Sequence, residues 1–204
     1  MANFNQKKRE IECKIVYYGP GRGGKTTNLE YIFKAFKSHV TEDMVSINTE
    51  GDRTIFFDFL PVGLGKIKGC NVRVYLYTVP GQVQYSSTRK LVLKGVDGIV
   101  FVADSFEVRR DYNIHSLKDL SDNLKEHGKN IFQIPLVMQY NKRDLEDLVP
   151  LLSVDQMEKD LNNQLKVPSF PASAINGEGV GKTLKECLKL TLIALQKELK
   201  WAEK

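Results

Sequence analysis

The sequence predicts an α/β domain built on a six-stranded, mostly parallel sheet with helices on both faces. Three observations predict it. Apolar runs of strand length alternate with stretches of helical period. One run, Gly98 to Asp104, is apolar almost throughout, as a strand covered on both faces must be. The first run ends in a glycine-rich turn that leads directly into a helical stretch.

The elements follow in order. Ile11 to Tyr18 reads as the first strand and stops at the glycines. The helix after it places Leu29, Ile32, Phe33 and Phe36 on one face. Thr54 to Leu60 and Asn71 to Thr78 read as paired strands around a Pro/Gly-rich turn. Gly98 to Asp104 is the central strand. A helix carrying Ile114, Leu117, Leu120 and Leu124 comes next, stopped by Gly128. Pro135 to Tyr140 is a further buried strand. Ser153 with Gln156 forms a capping box that opens a helix carrying Met157, Leu161 and Leu165. Val167 to Pro171 is a short last strand, and the final helix carries Leu184, Leu188, Leu192, Leu195 and Leu199. No repeat, low-complexity stretch or linker interrupts the 204 residues, so 1–204 is expected to form one domain with a short flexible tail at about 1–9.

Composition excludes several classes of function. The net charge of +5 is modest, and part of it lies near the ends in Lys7-Lys8-Arg9, Lys197, Lys200 and Lys204, so no nucleic-acid partner is expected. Cys13, Cys70 and Cys187 are scattered, and His39, His115 and His127 do not group with them. Neither a zinc site nor a disulfide framework follows, and a reducing cytoplasm is the natural compartment. No apolar stretch reaches the roughly 18 residues a spanning helix needs. The N-terminus has no apolar signal core, Ala2 replaces the glycine that myristoylation requires, and the end, Leu199-Lys200-Trp201-Ala202-Glu203-Lys204, has no prenylation box, so no lipid anchor is expected.

Gly19-Pro20-Gly21-Arg22-Gly23-Gly24-Lys25-Thr26 fits G-x-x-x-x-G-K-[ST], the signature of a P-loop NTPase. Phosphate oxygens need closely spaced N–H donors, and glycines let the backbone wrap that tightly. The helix that begins near Lys25 adds its positive end. Gly19, Gly21, Arg22, Gly23, Gly24, Lys25, Thr26 and the following Thr27 are therefore the candidate phosphate contacts. Lys25 is expected to reach the β- and γ-phosphates, and the Thr26 hydroxyl to ligate Mg²⁺. Gly19, Gly21 and Gly24 also satisfy the dinucleotide fingerprint G-x-G-x-x-G, but that reading leaves Lys25-Thr26 unexplained. Gly181-Lys182-Thr183 resembles a second phosphate loop. Gly177 is one residue too close and no long apolar strand precedes it, so it reads as a loop and helix start.

Asn141-Lys142-Arg143-Asp144 follows an apolar strand and fits N-K-x-D. Guanine presents N1–H and N2–H₂ as adjacent donors, which one carboxylate accepts; adenine lacks that pair, so Asp144 is the candidate for choosing the base. The Lys142 stem is expected to lie over the base and Asn141 to tie this loop to the phosphate loop. Ser173-Ala174-Ile175 resembles a third base-contacting loop, where the Ala174 N–H is expected to reach guanine O6.

From about Arg9 to the last helix the chain resembles the MglA family of bacterial Ras-like GTPases of gliding motility and cell polarity. The resemblance is carried by Cys13-Lys14-Ile15-Val16-Tyr17-Tyr18-Gly19-Pro20-Gly21, Asp52-Arg53-Thr54, Phe56-Phe57-Asp58-Phe59-Leu60-Pro61, Tyr77-Thr78-Val79-Pro80-Gly81-Gln82, Leu93-Lys94-Gly95-Val96-Asp97-Gly98 and Asn141-Lys142-Arg143-Asp144. It implies a Ras-like G domain that cycles between GTP and GDP. Thr54 matches a switch threonine whose hydroxyl joins Mg²⁺, Gly81 the switch glycine at the nucleotide, and Gln82 the glutamine that positions the attacking water. Arg53 matches an arginine finger acting in cis, a cation that stabilises charge on the transferring phosphoryl group.

Where Ras proteins carry D-x-x-G, this chain reads Thr78-Val79-Pro80-Gly81, so a carboxylate that normally holds an Mg²⁺-bound water is missing, as it is in this family; Asp58 is a candidate substitute. The resemblance further implies an MglB-like roadblock-domain regulator, polarity or motility effector proteins, recruitment from the cytoplasm to a cell pole in the GTP state, and a switch element spanning Asp52 to Leu60. A GTP-dependent polarity scaffold with negligible turnover is the alternative that Thr78 leaves open.

Overall fold

The computed structural model describes residues 3–5, 9–37, 44–47, 57–67, 69–81 and 85–202. The six expected strands are all present: β2 (Glu10–Tyr18), β4 (Phe57–Ile67), β5 (Cys70–Thr78), β6 (Gly98–Asp104), β7 (Leu136–Asn141) and β8 (Ser169–Pro171). Two three-residue strands, β1 (Asn3–Asn5) and β3 (Val45–Ile47), bring the described sheet to eight. Its order is β3-β4-β5-β2-β6-β7-β8, with β1 added antiparallel along the start of β2. The pairs β2–β5, β2–β6, β6–β7 and β7–β8 are parallel, and the β3–β4 and β4–β5 pairs are antiparallel.

The helices are α1 (Lys25–Ala35), α2 (Ser86–Leu93), α3 (Arg110–Glu126), α4 (Val154–Met157, continued by a π-helical turn at Glu158–Asn162) and α5 (Val180–Ala202). They cover both faces of the sheet. Because side chains alternate along a strand, Ile99, Phe101 and Ala103 of β6 join one core with Val92, Leu120, Leu124 and Met157. Val100 and Val102 join the other, with Leu29, Ile32, Val180, Leu184 and Cys187. Burying each such aliphatic side chain contributes roughly 1.5–3 kcal/mol. Gly98 permits close approach of α5 to β6, since a Cβ there would lie 2.2 Å from Thr191 Oγ1.

Three local expectations change. The turn between β4 and β5 lies at Gly69 (φ 82°), and Pro61 and Gly63 belong to the strand. β3 pairs with β4 only at residues 57–59, so among the described residues Pro61 has a neighbour strand on one side alone, the edge setting in which proline is tolerated. Phe36 caps the end of α1 and is exposed, off the buried face of Leu29 and Ile32. On α3 the buried face is Asn113, Leu120, Asn123 and Leu124, while Ile114 is 41% exposed.

Both asparagines are satisfied inside. Asn113 Oδ1 accepts from the Asp104 N–H at 2.9 Å and Asn113 Nδ2 donates to the Asp104 carbonyl at 2.8 Å. Asn123 Nδ2 donates to the Tyr18 hydroxyl at 3.0 Å, which itself donates to Asp119. The Ser153 cap holds the Gln156 N–H at 3.1 Å, as expected, but the Gln156 side chain goes forward to Asp160 at 2.8 Å instead of closing the box.

The three thiols are free. Burial pushes those of Cys13 and Cys187 up to about 12, so neither forms appreciable thiolate near neutrality. Cys70 is half-buried at the β4–β5 turn. Titration of the native protein with a thiol-specific chromogenic reagent is expected to modify Cys70 rapidly, with Cys13 and Cys187 reacting on unfolding. Rapid reaction of all three in the native state would contradict this burial.

Candidate functional site

The glycine-rich loop joins the end of β2 to α1, at the carboxyl edge of the parallel strands where open α/β sheets place their ligands. Its shape depends on close approach. A Cβ on Gly19 (φ 145°) would lie 2.2 Å from the Val102 carbonyl oxygen, and one on Gly24 (φ 95°) would lie 2.2 Å from Asn141 Nδ2. The Gly23 N–H donates to the Pro20 carbonyl at 3.2 Å and closes the turn. Arg22 sits at φ 64°, a left-handed conformation that costs a non-glycine residue about 1 kcal/mol or more. Lys25, 7% exposed, donates from Nζ to the carbonyls of Gly19 at 3.0 Å and Pro20 at 2.7 Å, so its ammonium is held against the loop. Thr26, on the first turn of α1, is exposed.

The N-K-x-D segment ends β7 and lies against this loop. Asn141 Nδ2 donates to the Gly23 carbonyl at 2.8 Å, the tie expected of it, and Asn141 Oδ1 accepts from the Ala174 N–H at 2.8 Å. One buried amide thus joins three loops. The Ala174 N–H, expected to reach guanine O6, is directed to Asn141 here. Ser173 is buried and its N–H donates to Glu178 at 2.9 Å, which fixes the loop that carries Ala174 and the exposed Ile175.

The Arg143 N–H donates to the Ala172 carbonyl at 3.0 Å and its guanidinium to the Leu152 carbonyl at 2.7 Å, which leaves Asp144 exposed in the turn between them. A cavity of about 160 Å³ opens between these loops. Arg22, Gly24 and Thr27 line it from one side, and Lys142, Asp144 and Ile175 from the other.

Gly81 presses on the phosphate loop. Its carbonyl accepts from the Gly21 N–H at 3.1 Å, and a Cβ on it would lie 2.2 Å from that nitrogen. Thr78, at the end of β5, is buried. Arg53, Thr54 and Gln82 lie outside the described residues, as does most of the Asp52 to Leu60 segment. Gly181-Lys182-Thr183 falls within α5, where the buried Thr183 hydroxyl bonds the Gly179 carbonyl at 2.8 Å and Gln139 at 3.2 Å, as a helix start should.

Sequence reasoning missed three residues that the fold brings here. Asp104, 1% exposed, accepts from Lys142 Nζ at 2.7 Å. The Phe106 ring lines the cavity and lies 4.4 Å from Lys142 Nζ. Arg109 reaches the phosphate loop, with Nη2 donating to the Gly21 carbonyl at 2.7 Å. The available signal was position: all three follow the apolar core of β6, at the carboxyl edge of the sheet. Lys142 itself sits at a left-handed φ of 74°.

Among the described residues no helix is long and apolar enough to cross a membrane, and no cluster of His, Cys, Asp or Glu is arranged to hold a metal by itself.

The Ras family model matches residues 14–192. The chain is 52% identical over 197 residues to the mutual gliding-motility protein MglA of Myxococcus xanthus (strain DK1622), covering 97% of this chain and 99% of that protein. It is 28% identical over 199 residues to human ADP-ribosylation factor-like protein 4C, covering 93% of this chain and 92% of that protein. Human ADP-ribosylation factor-like protein 4A is 27% identical over 178 residues, 84% of this chain and 80% of its own length.

Proposed function

Because the chain belongs to the Ras family and is a GTPase, converting GTP and water to GDP and phosphate, we propose that it works as a molecular switch regulating motility and cell polarity. In this reading it binds GTP or GDP with Mg²⁺ and hydrolyses GTP slowly until a roadblock-domain regulator of the MglB kind accelerates the reaction. Effector proteins of polarity or motility bind the GTP state, which moves from the cytoplasm to a cell pole. The gliding-motility name of the Myxococcus xanthus relative supports the cellular role.

The observation that carries the nucleotide reading is Asn141, whose amide joins the phosphate loop to the Ala174 loop and so sets Asp144 at a fixed place across the cavity from Gly24. Asp144 accepts the two adjacent guanine donors, and the Lys142 stem, tethered by Asp104, packs on the base. Lys25 and the loop N–H groups take the phosphates. The donor set fits Mg²⁺, a hard cation that binds through hydroxyl, water and phosphate oxygens with few protein ligands. Thr26 and Thr54 supply hydroxyls, and the metal neutralises phosphate charge. Buried Thr78 at the carboxylate position favours the second reading, a GTP-dependent polarity scaffold with negligible turnover. Phosphate release measured with and without the roadblock regulator separates the two.

Asp144→Asn tests base recognition. It removes a charged acceptor from two donors, and a hydrogen bond to a charged group is worth about 1.5–3 kcal/mol. GTP and GDP are therefore expected to bind the variant roughly tenfold to a hundredfold more weakly in a fluorescence competition titration. Wild-type protein that holds ATP as tightly as GTP would end the guanine reading.

A further inference from the structure

We propose that Arg109, braced by Asp104, is a positioning residue that clamps the phosphate loop from outside and slows nucleotide release. The proposal rests on the nucleotide-site reading above. Asp104 ends β6, and its nearly fully buried carboxylate lies between two cations from separate elements. Lys142 Nζ, from the base loop, is 2.7 Å away, and Arg109 Nε, from the turn that opens α3, is 3.7 Å away. Asn113 fixes the Asp104 backbone through both its N–H and its carbonyl. The Tyr112 ring packs 4.0 Å from the Arg109 guanidinium and limits its swing. From this brace Arg109 Nη2 reaches the Gly21 carbonyl at 2.7 Å.

That carbonyl and the Arg22 N–H belong to one planar peptide unit and point in opposite directions. Holding the carbonyl therefore fixes the direction of the Arg22 N–H. A guanidinium on the carbonyl also polarises the peptide and strengthens its N–H as a donor. The peptide leads into Arg22 at φ 64°, a conformation a non-glycine residue keeps where neighbouring groups enforce it. On its other side Gly21 donates to Gly81, so the clamp also bears on the peptide that precedes Gln82. Asp104 thus couples the loop that reads the base to the loop that holds the phosphates.

The test is release of a fluorescent GDP analogue, chased with excess GDP, from full-length wild type, Arg109→Ala, Arg109→Lys, Asp104→Asn and the Arg109→Ala/Asp104→Asn double variant. Thermal unfolding of each is measured alongside. Arg109→Ala is expected to release the analogue about tenfold faster or more, from the loss of a charge-assisted bond. Arg109→Lys is expected to recover part of that loss, because a point cation still reaches the carbonyl. The double variant is expected to fall short of the product of the single effects, since both act through one brace. Asp104→Asn alone is expected to narrow the preference for GDP over IDP, because it frees Lys142, whereas Arg109→Ala leaves that preference unchanged.

Release from Arg109→Ala within twofold of wild type would overturn the clamp. So would fast release that tracks lost thermal stability and is not relieved by lysine. Wild type that retains no guanine nucleotide would instead overturn the nucleotide-site reading itself.

Discussion

Replacing Lys25 by alanine is expected to lower affinity for GTP and GDP by about three orders of magnitude. The side chain is 7% exposed and its Nζ rests on the Gly19 and Pro20 carbonyls, so the cation is already positioned at the loop before a phosphate arrives. Two unit charges about 4 Å apart attract by about 4 kcal/mol at an effective dielectric of about 20. At about 1.4 kcal/mol per decade that is roughly a thousandfold in binding. Isothermal titration with GDP and GTP in Mg²⁺ measures it, with thermal unfolding of the nucleotide-free variant as the control for fold. Affinity within a few-fold of wild type in a folded variant would remove Lys25 from the phosphate site.

Arg53→Ala and Gln82→Leu are each expected to abolish partner-stimulated hydrolysis while leaving GTP affinity within a few-fold of wild type. An arginine finger contributes roughly 10³–10⁵ in rate in P-loop GTPases. Its cation acts on charge that develops as the phosphoryl group transfers, so it stabilises the transition state more than bound GTP. Gln82 follows Gly81, whose carbonyl accepts from the Gly21 N–H at 3.1 Å, and the resemblance to the MglA family implies that its amide positions the attacking water. Arg53 precedes Thr54 in sequence, and a segment that brings Thr54 to Mg²⁺ brings Arg53 with it. Single-turnover hydrolysis with and without the roadblock regulator, beside nucleotide affinity, decides the matter. Stimulated hydrolysis at the wild-type rate in Arg53→Ala would place the finger on the partner and end the cis mechanism.

The first prediction starts from a motif legible in the bare chain, because the chemistry there is local, whereas the roles of Arg53 and Gln82 come from the resemblance to the MglA family. A phosphate loop is a run of backbone N–H groups in one turn, and its glycines and lysine must be neighbours in sequence. The same holds for Asn141 to Asp144. Strand and helix succession was legible for a related reason: burial imposes a period on consecutive residues. It gave β6 at its observed bounds, Gly98 to Asp104, and placed Leu120 and Leu124 on the inner face of α3. The tie from Asn141 to the phosphate loop was legible as well, although its second bond, to Ala174, was not.

The tertiary structure decided what depends on partners distant in the chain. Period alone assigns Ile114 to the core face of α3. The fold leaves Ile114 41% exposed and buries Asn113, which supplies an acceptor and a donor to the buried Asp104 N–H and carbonyl at the end of β6. Pro61 reads as a turn until the sheet is assembled and β4 is found without a described neighbour on one side beyond Phe59. Asp104 and Arg109 are an ordinary acid and an ordinary base along the chain. Their meaning comes from Lys142, 38 residues beyond Asp104, and from Gly21, 88 residues before Arg109. Sequence determined the glycine-rich loop and the Asn141 to Asp144 segment as candidates to meet the nucleotide, since that chemistry is carried by neighbours. Folding determined what holds those groups in place, since a buried charge is stabilised by whichever opposite charge the topology brings beside it.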